Sequence, residues 1–201
     1  LSSDGRFKRL PFEEILDLSG RATTILKLKQ GIILKSAVIC HPNGEVAIVS
    51  SYGRILRLQI SDESTPIMGK LAQGPFAMKM LPGELIIGAV TTKNQDEDII
   101  IVTKFGKVAK IKFASIRQCK RCDFGEMSII REDNKKNTDR VIDIYNGKLL
   151  GNIISNTGRC ARLSNVDIEN LSEIDLQNQF LELKENEYVK KIIPLIEANL
   201  N

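Results

Sequence analysis

Short β-branched and apolar runs punctuate the chain, and each leads into a glycine. EVAIVS occupies 45–50, DIIIVT 98–103 and LLGNIIS 149–155. Beyond each glycine lies a second short run with basic residues set into it: RILRLQI, KVAKIKF and RCARL. Two strand-like segments joined where glycine can supply positive φ predict a β-hairpin. Further on, each unit offers another apolar pair around a polar or glycine-bearing turn, at 23–39, 76–90, 126–144 and 179–195. Two hairpins per unit amount to four strands. No stretch carries a long helical period, and FEEILDL at 12–18 and the matching VDIENLSEI read as short turns.

The glycine turns are copies of one another. SDGRFKRL begins at Ser3, SYGRILRL at Ser51, KFGKVAKI at Lys104 and NTGRCARL at Asn156, each reading x-x-G-[RK]-x-x-[RK]-[LI]. The glycines Gly5, Gly53, Gly106 and Gly158 are separated by 48, 53 and 52 residues. A near-constant period of that length marks a propeller, solenoid or array, and four strands per repeat is blade-like. The first copy lacks its leading apolar run, as expected if the chain begins inside a repeat. The expected units are 1–40 (partial), 41–92, 93–147 and 148–201, within one all-β domain. In each motif the first basic residue belongs to the turn and splays outward, and the second lies on the strand. A single such hairpin reads as an edge strand guarded by charge. Four copies around a disc predict a ring of cations along one rim.

Composition narrows the possibilities without deciding them. Apolar residues at 42% and charged residues at 27% describe an ordinary globular chain, and runs such as IIIV at 99–102 are too short to span a bilayer. The opening LSSDGRFKRL has no signal-peptide core and no methionine, which suggests a piece of a longer polypeptide. Net charge is +4, but residues 1–162 hold +9 and residues 163–201 hold −5. A basic body fits a polyanionic partner, although on this balance alone solvated surface charge is the favoured reading. Cys119 and Cys122 form a CxxC, yet Cys40, Cys160 and the lone His41 supply no matching second pair, so reduced free thiols are expected. Glu13–Glu14 and Asp96–Glu97–Asp98 read as solvated turns. There is no P-loop, HExxH or Ser/His/Asp set. No metal, cofactor or catalytic role is expected of this chain.

The four motifs, with following segments such as FAMKMLPGELIIGAV, resemble the C-terminal domain of the DNA gyrase A protein and its topoisomerase IV paralogue, in the type IIA topoisomerase family. The resemblance implies a β-pinwheel, whose four-stranded antiparallel blades exchange a strand with their neighbours. It also implies duplex DNA bound and bent around a basic perimeter, with little sequence specificity. Carried over by position, the DNA-binding candidates are Arg6, Lys8, Arg9, Arg54, Arg57, Lys107, Lys110, Lys112, Arg159 and Arg162. The loop RQCKRC adds Arg117, Lys120 and Arg121. Gly5, Gly53, Gly106 and Gly158 would shape the turns. The implied partners are double-stranded DNA, the ATPase subunit of the topoisomerase, and the N-terminal breakage-reunion region of the same polypeptide, with no membrane. The implied setting is the bacterial cytoplasm near the nucleoid, or a plastid-type organelle. Cleavage in this family uses a tyrosine of the N-terminal region, and Tyr52, Tyr145 and Tyr188 do not sit in that motif.

Two features depart from the family. The basic, glycine-rich gyrase box of the first blade is absent, the nearest stretches being GKLAQGP from Gly69 and QCKRCDFG from Gln118. The chain also offers about four blades where five or six are usual. A propeller serving as a protein-interaction platform is the alternative reading, and an enzyme with a site in the central channel is a weaker third. The charge distribution further predicts a DNA path over the first three units, with Arg162 contributing less than Arg9, Arg57 or Lys110.

Overall fold

In a computed structural model of the chain, residues 1–16, 22–94, 96–128, 133–134, 137–147, 151–163 and 181–194 are described. The only α-helix among them is the single turn α1, Glu13–Leu16. The strands are β1 (Glu45–Ser50), β2 (Arg54–Gln59), β3 (Ile86–Thr92), β4 (Asp98–Thr103), β5 (Val108–Lys112) and β6 (Glu126–Met127). They continue with β7 (Asp133–Asn134), β8 (Asn137–Thr138), β9 (Val141–Asn146), β10 (Gly151–Ser155), β11 (Cys160–Leu163) and β12 (Val189–Pro194). The segment VDIENLSEI lies outside the described residues.

The strands form successive antiparallel sheets of one design: β3-β1-β2-β6, then β5-β4-β9, then β11-β10-β12, beside the small β7-β8 pair. Each hairpin expected around a glycine is present: β1 with β2, β4 with β5, and β10 with β11. Apart from the short local hairpin of β7 and β8, the strands of the second pair do not pair with each other. The strand opening it, β6, pairs Met127 with Arg54 and Glu126 with Ile55, completing the sheet of the preceding unit. The equivalent bridge one unit earlier joins Phe76 to Arg6. This is the strand exchange of a pinwheel. Two glycines allow it: Gly74 and Gly125 have φ of +81° and +70°, and an added Cβ would lie 1.9 Å from the Phe7 carbonyl oxygen and 2.2 Å from that of Ile55.

Burial explains why the leading runs are continuously apolar. Side chains alternate across a strand, and here both faces are covered. Val46 and Ile48 enter a core with Phe7, Leu56, Leu58 and Ile86. Their neighbours Ala47 and Val49 enter a second core with Ile55, Ile99, Ile101 and Phe113. Ile100 and Val102 turn to a third, with Ile153, Leu163 and Val189. In β10 only alternate residues are buried, and Asn152 and Ile154 are half-buried. Backbone bonds stitch the units at equivalent points: Ile86 N donates to Ser3 O (3.1 Å), Val141 N to Ser51 O (3.1 Å) and Val189 N to Lys104 O (2.7 Å).

Candidate nucleic-acid interface

The four glycine turns superimpose in their bonding. Gly5, Gly53, Gly106 and Gly158 have φ of +86°, +79°, +81° and +88°, the left-handed region that glycine enters without penalty. Each donates its N–H to the residue three back: Ser2 (3.0 Å), Ser50 (3.0 Å), Thr103 (3.0 Å) and Ser155 (3.1 Å). Those four acceptors are all hydroxyl residues, a feature absent from the motif as read from sequence. The Ser50, Thr103 and Ser155 hydroxyls accept the N–H of Arg54, Lys107 and Arg159 at 3.2, 3.2 and 3.1 Å. The Ser2 hydroxyl instead donates to Asp4 and to the Arg6 carbonyl. The repeating unit is therefore [ST]-x-x-G-[RK].

The first cation of each motif does not splay outward as expected. Arg54 is only 7% exposed. Its Nε donates to Glu84 Oε1 (2.9 Å), and Nη2 reaches Glu84 Oε2 and the Lys79 carbonyl. Arg159 repeats the arrangement with Glu187 Oε2 (2.6 Å) and the Glu182 carbonyl, while staying half-exposed. Arg6 lies 3.5 Å from Asp4 and stacks 3.9 Å over the Phe76 ring. Lys107 is buried. Glu84, Asp139 and Glu187 each stand two residues before the strand that closes their sheet, and all three are buried. Position, not local composition, marks these acids.

The second cations divide. Arg57, 6% exposed, pairs bidentately with Glu45 at 2.9 and 2.8 Å. Arg9 reaches Asp62 (2.5 Å), and Lys110 lies 3.2 Å from Asp98. Glu45 and Asp98 each lie two residues before the cross-strand partner of the cation. At the equivalent position before Asn152 the sequence has Leu150. Arg162 is exposed and has no ionic partner among the described residues. Lys8 is enclosed by the carbonyls of Ile25 (3.0 Å), Gly69 (2.8 Å) and Lys70 (2.6 Å). Burial lowers its pKa against the opposing pull of Glu14. The expected outward splay therefore fails at Arg54, Arg57 and Lys107, which are buried, while Lys112 and Arg162 stay exposed. A strand whose two faces are both covered leaves its side chains no outward face.

Apart from Arg162, the exposed candidate cations gather around a loop. Arg117, Lys120 and Arg121 are exposed in the connection between β5 and β6, and Lys112 is exposed at the end of β5. Arg117, with its side chain 57% exposed, approaches Asp123 only at 3.7 Å. Sequence reasoning missed Lys79, which joins this patch: its N–H donates to the Asp123 carbonyl (3.0 Å), and its ammonium lies 4.7 Å over the Phe124 ring. Lys79 stands outside the repeated motif, so periodicity gave no signal for it. Cys122, φ +67°, turns the loop, and its thiol donates to the Phe76 carbonyl (3.2 Å). Burial raises the pKa of the Cys119 thiol, and all four cysteines are free. Among the described residues no acidic, Cys or His cluster could hold a metal ion, and no helix is long and apolar enough to cross a membrane.

The paired acids make the fold acid-labile in a defined direction. Burial alone would raise the Glu84 pKa, but hydrogen bonds from Arg54, Ser50 and the Leu81 N–H outweigh it and the value is lowered. The Lys184 N–H, then the Thr157 and Ser155 hydroxyls, and Arg159 hold Glu187 down to about 2. A carboxylate with a depressed native pKa contributes fully above its unfolded value, here 4.5, and that contribution is lost as pH falls toward the native value. Thermal unfolding followed between about pH 7 and pH 3 should therefore show Tm falling below about pH 5. Glu84→Gln should lower Tm at neutral pH and flatten that fall; an equally steep fall would show that other groups dominate.

The model of the DNA gyrase C-terminal domain, beta-propeller, matches residues 1–31 and 97–146. The A protein of DNA topoisomerase 4 from Synechocystis sp. (strain ATCC 27184 / PCC 6803 / Kazusa) is 26% identical over 151 residues, which is 71% of this chain and 16% of that protein. The A protein of DNA gyrase from Buchnera aphidicola subsp. Baizongia pistaciae (strain Bp) is 29% identical over 114 residues, 54% of this chain and 13% of that protein. The chain thus spans less than a fifth of either relative. The crystal structure of the C-terminal domain of DNA topoisomerase IV superimposes with a TM-score of 0.82 at 19% identity, over 97% of this chain and 60% of that one. At that identity the likeness speaks for the fold alone. Taken with the repeated glycine turns and the exchanged strands, these matches show that the chain has the fold of, and is similar in sequence to, the β-propeller C-terminal domains of the A proteins of DNA gyrase and topoisomerase IV.

Proposed function

We propose that this domain binds duplex DNA on its exposed basic loops and bends it, without catalysis of its own. It would do so as part of an ATP-dependent type IIA topoisomerase in the bacterial cytoplasm. Its partners there would be the breakage-reunion region of the same polypeptide and the ATPase subunit. The observation carrying this reading is the patch of Lys79, Arg117, Lys120 and Arg121, exposed around one loop. Phosphate neutralisation releases counterions and needs no base reading. No recognition helix stands among the described residues, so shape and deformability would set any preference.

The test is a salt titration of binding to several unrelated duplexes. A steep log–log slope shared by all of them supports the reading, and no binding, or binding without salt dependence, removes it in favour of a protein-interaction platform. Lys120→Ala/Arg121→Ala should reduce the slope by about 1.8, since each phosphate contact contributes about 0.9. The side-chain pairings reverse the ranking expected from net charge. Arg162→Ala should reduce the slope by about 0.9, because Arg162 is exposed and no acid among the described residues neutralises it.

A further inference from the structure

The buried cations of one unit hold the exposed loop of the next. The connection from Phe113 to Phe124 belongs to the third unit, yet both of its ends are tied to arginines of the second. At its start, Arg57 Nη1 donates to the carbonyls of Ile116 (2.9 Å), Ala114 (3.2 Å) and Phe113 (3.4 Å). At its end, Arg54 Nη1 donates to the Phe124 carbonyl (2.6 Å). Between them, Cys119 N donates to Arg57 O (2.8 Å). The same arrangement occurs one unit earlier. Arg9 Nε donates to the Thr65 carbonyl, Lys8 to those of Gly69 and Lys70, and Arg6 Nη1 to that of Gly74 (3.0 Å). With Glu45 on Nε and Nη2, the Arg57 guanidinium is occupied on all three nitrogens and buried. It is a fork of donors pointed at a neighbour's backbone, not at solvent.

From this we infer that Arg57 is a positioning residue. It fixes the loop that presents Arg117, Lys120 and Arg121, and does not touch phosphate itself. The inference rests on the DNA-binding reading above and refines it: the motif's cations fix loop geometry, and the loop's cations make the contact. A loop held in place loses less conformational freedom on binding, so releasing it weakens affinity without removing a phosphate contact.

Glu45 would be left buried and unpaired by a change at Arg57 alone, so the informative variant removes both partners, Arg57→Met with Glu45→Leu, and keeps the interior apolar. The full chain is compared with this variant and with Lys120→Ala/Arg121→Ala in two measurements, duplex binding against salt and the rate of tryptic cleavage after Arg117, Lys120 and Arg121. The double core variant should keep the β-type circular dichroism spectrum and bind DNA about tenfold more weakly with an unchanged salt slope. It should be cut at the loop about tenfold faster, with other tryptic sites unaffected. A slope lowered by about 0.9 with unchanged loop cleavage would make Arg57 a phosphate contact and overturn the inference. So would unchanged affinity together with unchanged cleavage. If the unaltered chain binds no DNA, the function reading fails by itself, and loop cleavage still decides whether Arg57 is a clamp. Should the core variant not fold, Arg57→Lys, which keeps the charge but loses the fork, carries the test through the loop: cleavage about tenfold faster with weaker binding is expected, and unchanged cleavage overturns the inference.

Discussion

Glu84→Ala should lower the unfolding free energy by about 3–5 kcal/mol, the range for breaking a buried ion pair on one side. Against a typical total of about 5–15 kcal/mol, this leaves the domain marginal. Glu84 is buried and accepts from Ser50 Oγ (2.5 Å), Arg54 Nε (2.9 Å), Arg54 Nη2 and Leu81 N (2.8 Å). Deleting the carboxylate removes an acceptor from all four donors at once and leaves a guanidinium whose side chain is 8% exposed with only the Lys79 and Phe124 carbonyls and no counter-charge. Urea unfolding should show a lower midpoint at constant m, the sign of lost stability with an unchanged denatured state. A loss below about 1 kcal/mol, the median of a solvent-exposed pair, would mean that water replaces the carboxylate, and the buried pair would lose its structural standing.

Gly125→Ala should be nearly as damaging by a different route. Its φ of +70° adds about 1–2 kcal/mol for any L side chain. The new methyl would also stand 2.2 Å from the Ile55 oxygen and 2.8 Å from its carbonyl carbon, both backbone atoms. Only separation of β6 from β2 could relieve that contact, so the exchanged strand would be lost. A total near 3 kcal/mol corresponds to a Tm drop of roughly 6–12 °C for a domain of this size. Gly158→Ala is the control. Its φ is +88° with nothing within 4 Å of the added carbon, so only the conformational part, about 1–2 kcal/mol, should appear. Equal drops at the two positions would refute the steric argument.

The hairpins were legible because two physical demands leave marks in sequence. A strand covered on both faces has no position for a polar residue, hence DIIIVT, and a left-handed turn position favours glycine, hence Gly53 and Gly106. The hydroxyl residues Ser2, Ser50, Thr103 and Ser155 were equally legible, three places before each glycine, but they fall one position outside the repeated motif. The strand exchange was not legible: β6 is two residues long and pairs with a strand some seventy positions away, at Arg54 and Ile55. Nor was the inward turn of Arg54 and Arg57. Strand parity placed them on opposite faces, and whether a face meets solvent or a neighbouring blade depends on Glu84, Glu45 and a loop of the next unit. A cation's role in such an array is set by its partner, which for Arg57 stands across the hairpin and for Arg54 lies 30 positions along the chain.

The shared cores have a mechanical consequence. Since β1 and β4 each lend alternate side chains to two separate cores, adjacent blades have no interior of their own. The array behaves as a one-dimensional chain of nearest-neighbour couplings, in which each interface, not each blade, is the unit of stability. Force or fraying applied at one rim loop is therefore not absorbed locally. It passes to the two adjoining interfaces and decays from one to the next, so the domain resists bending as a laminate does, through adhesion between its layers.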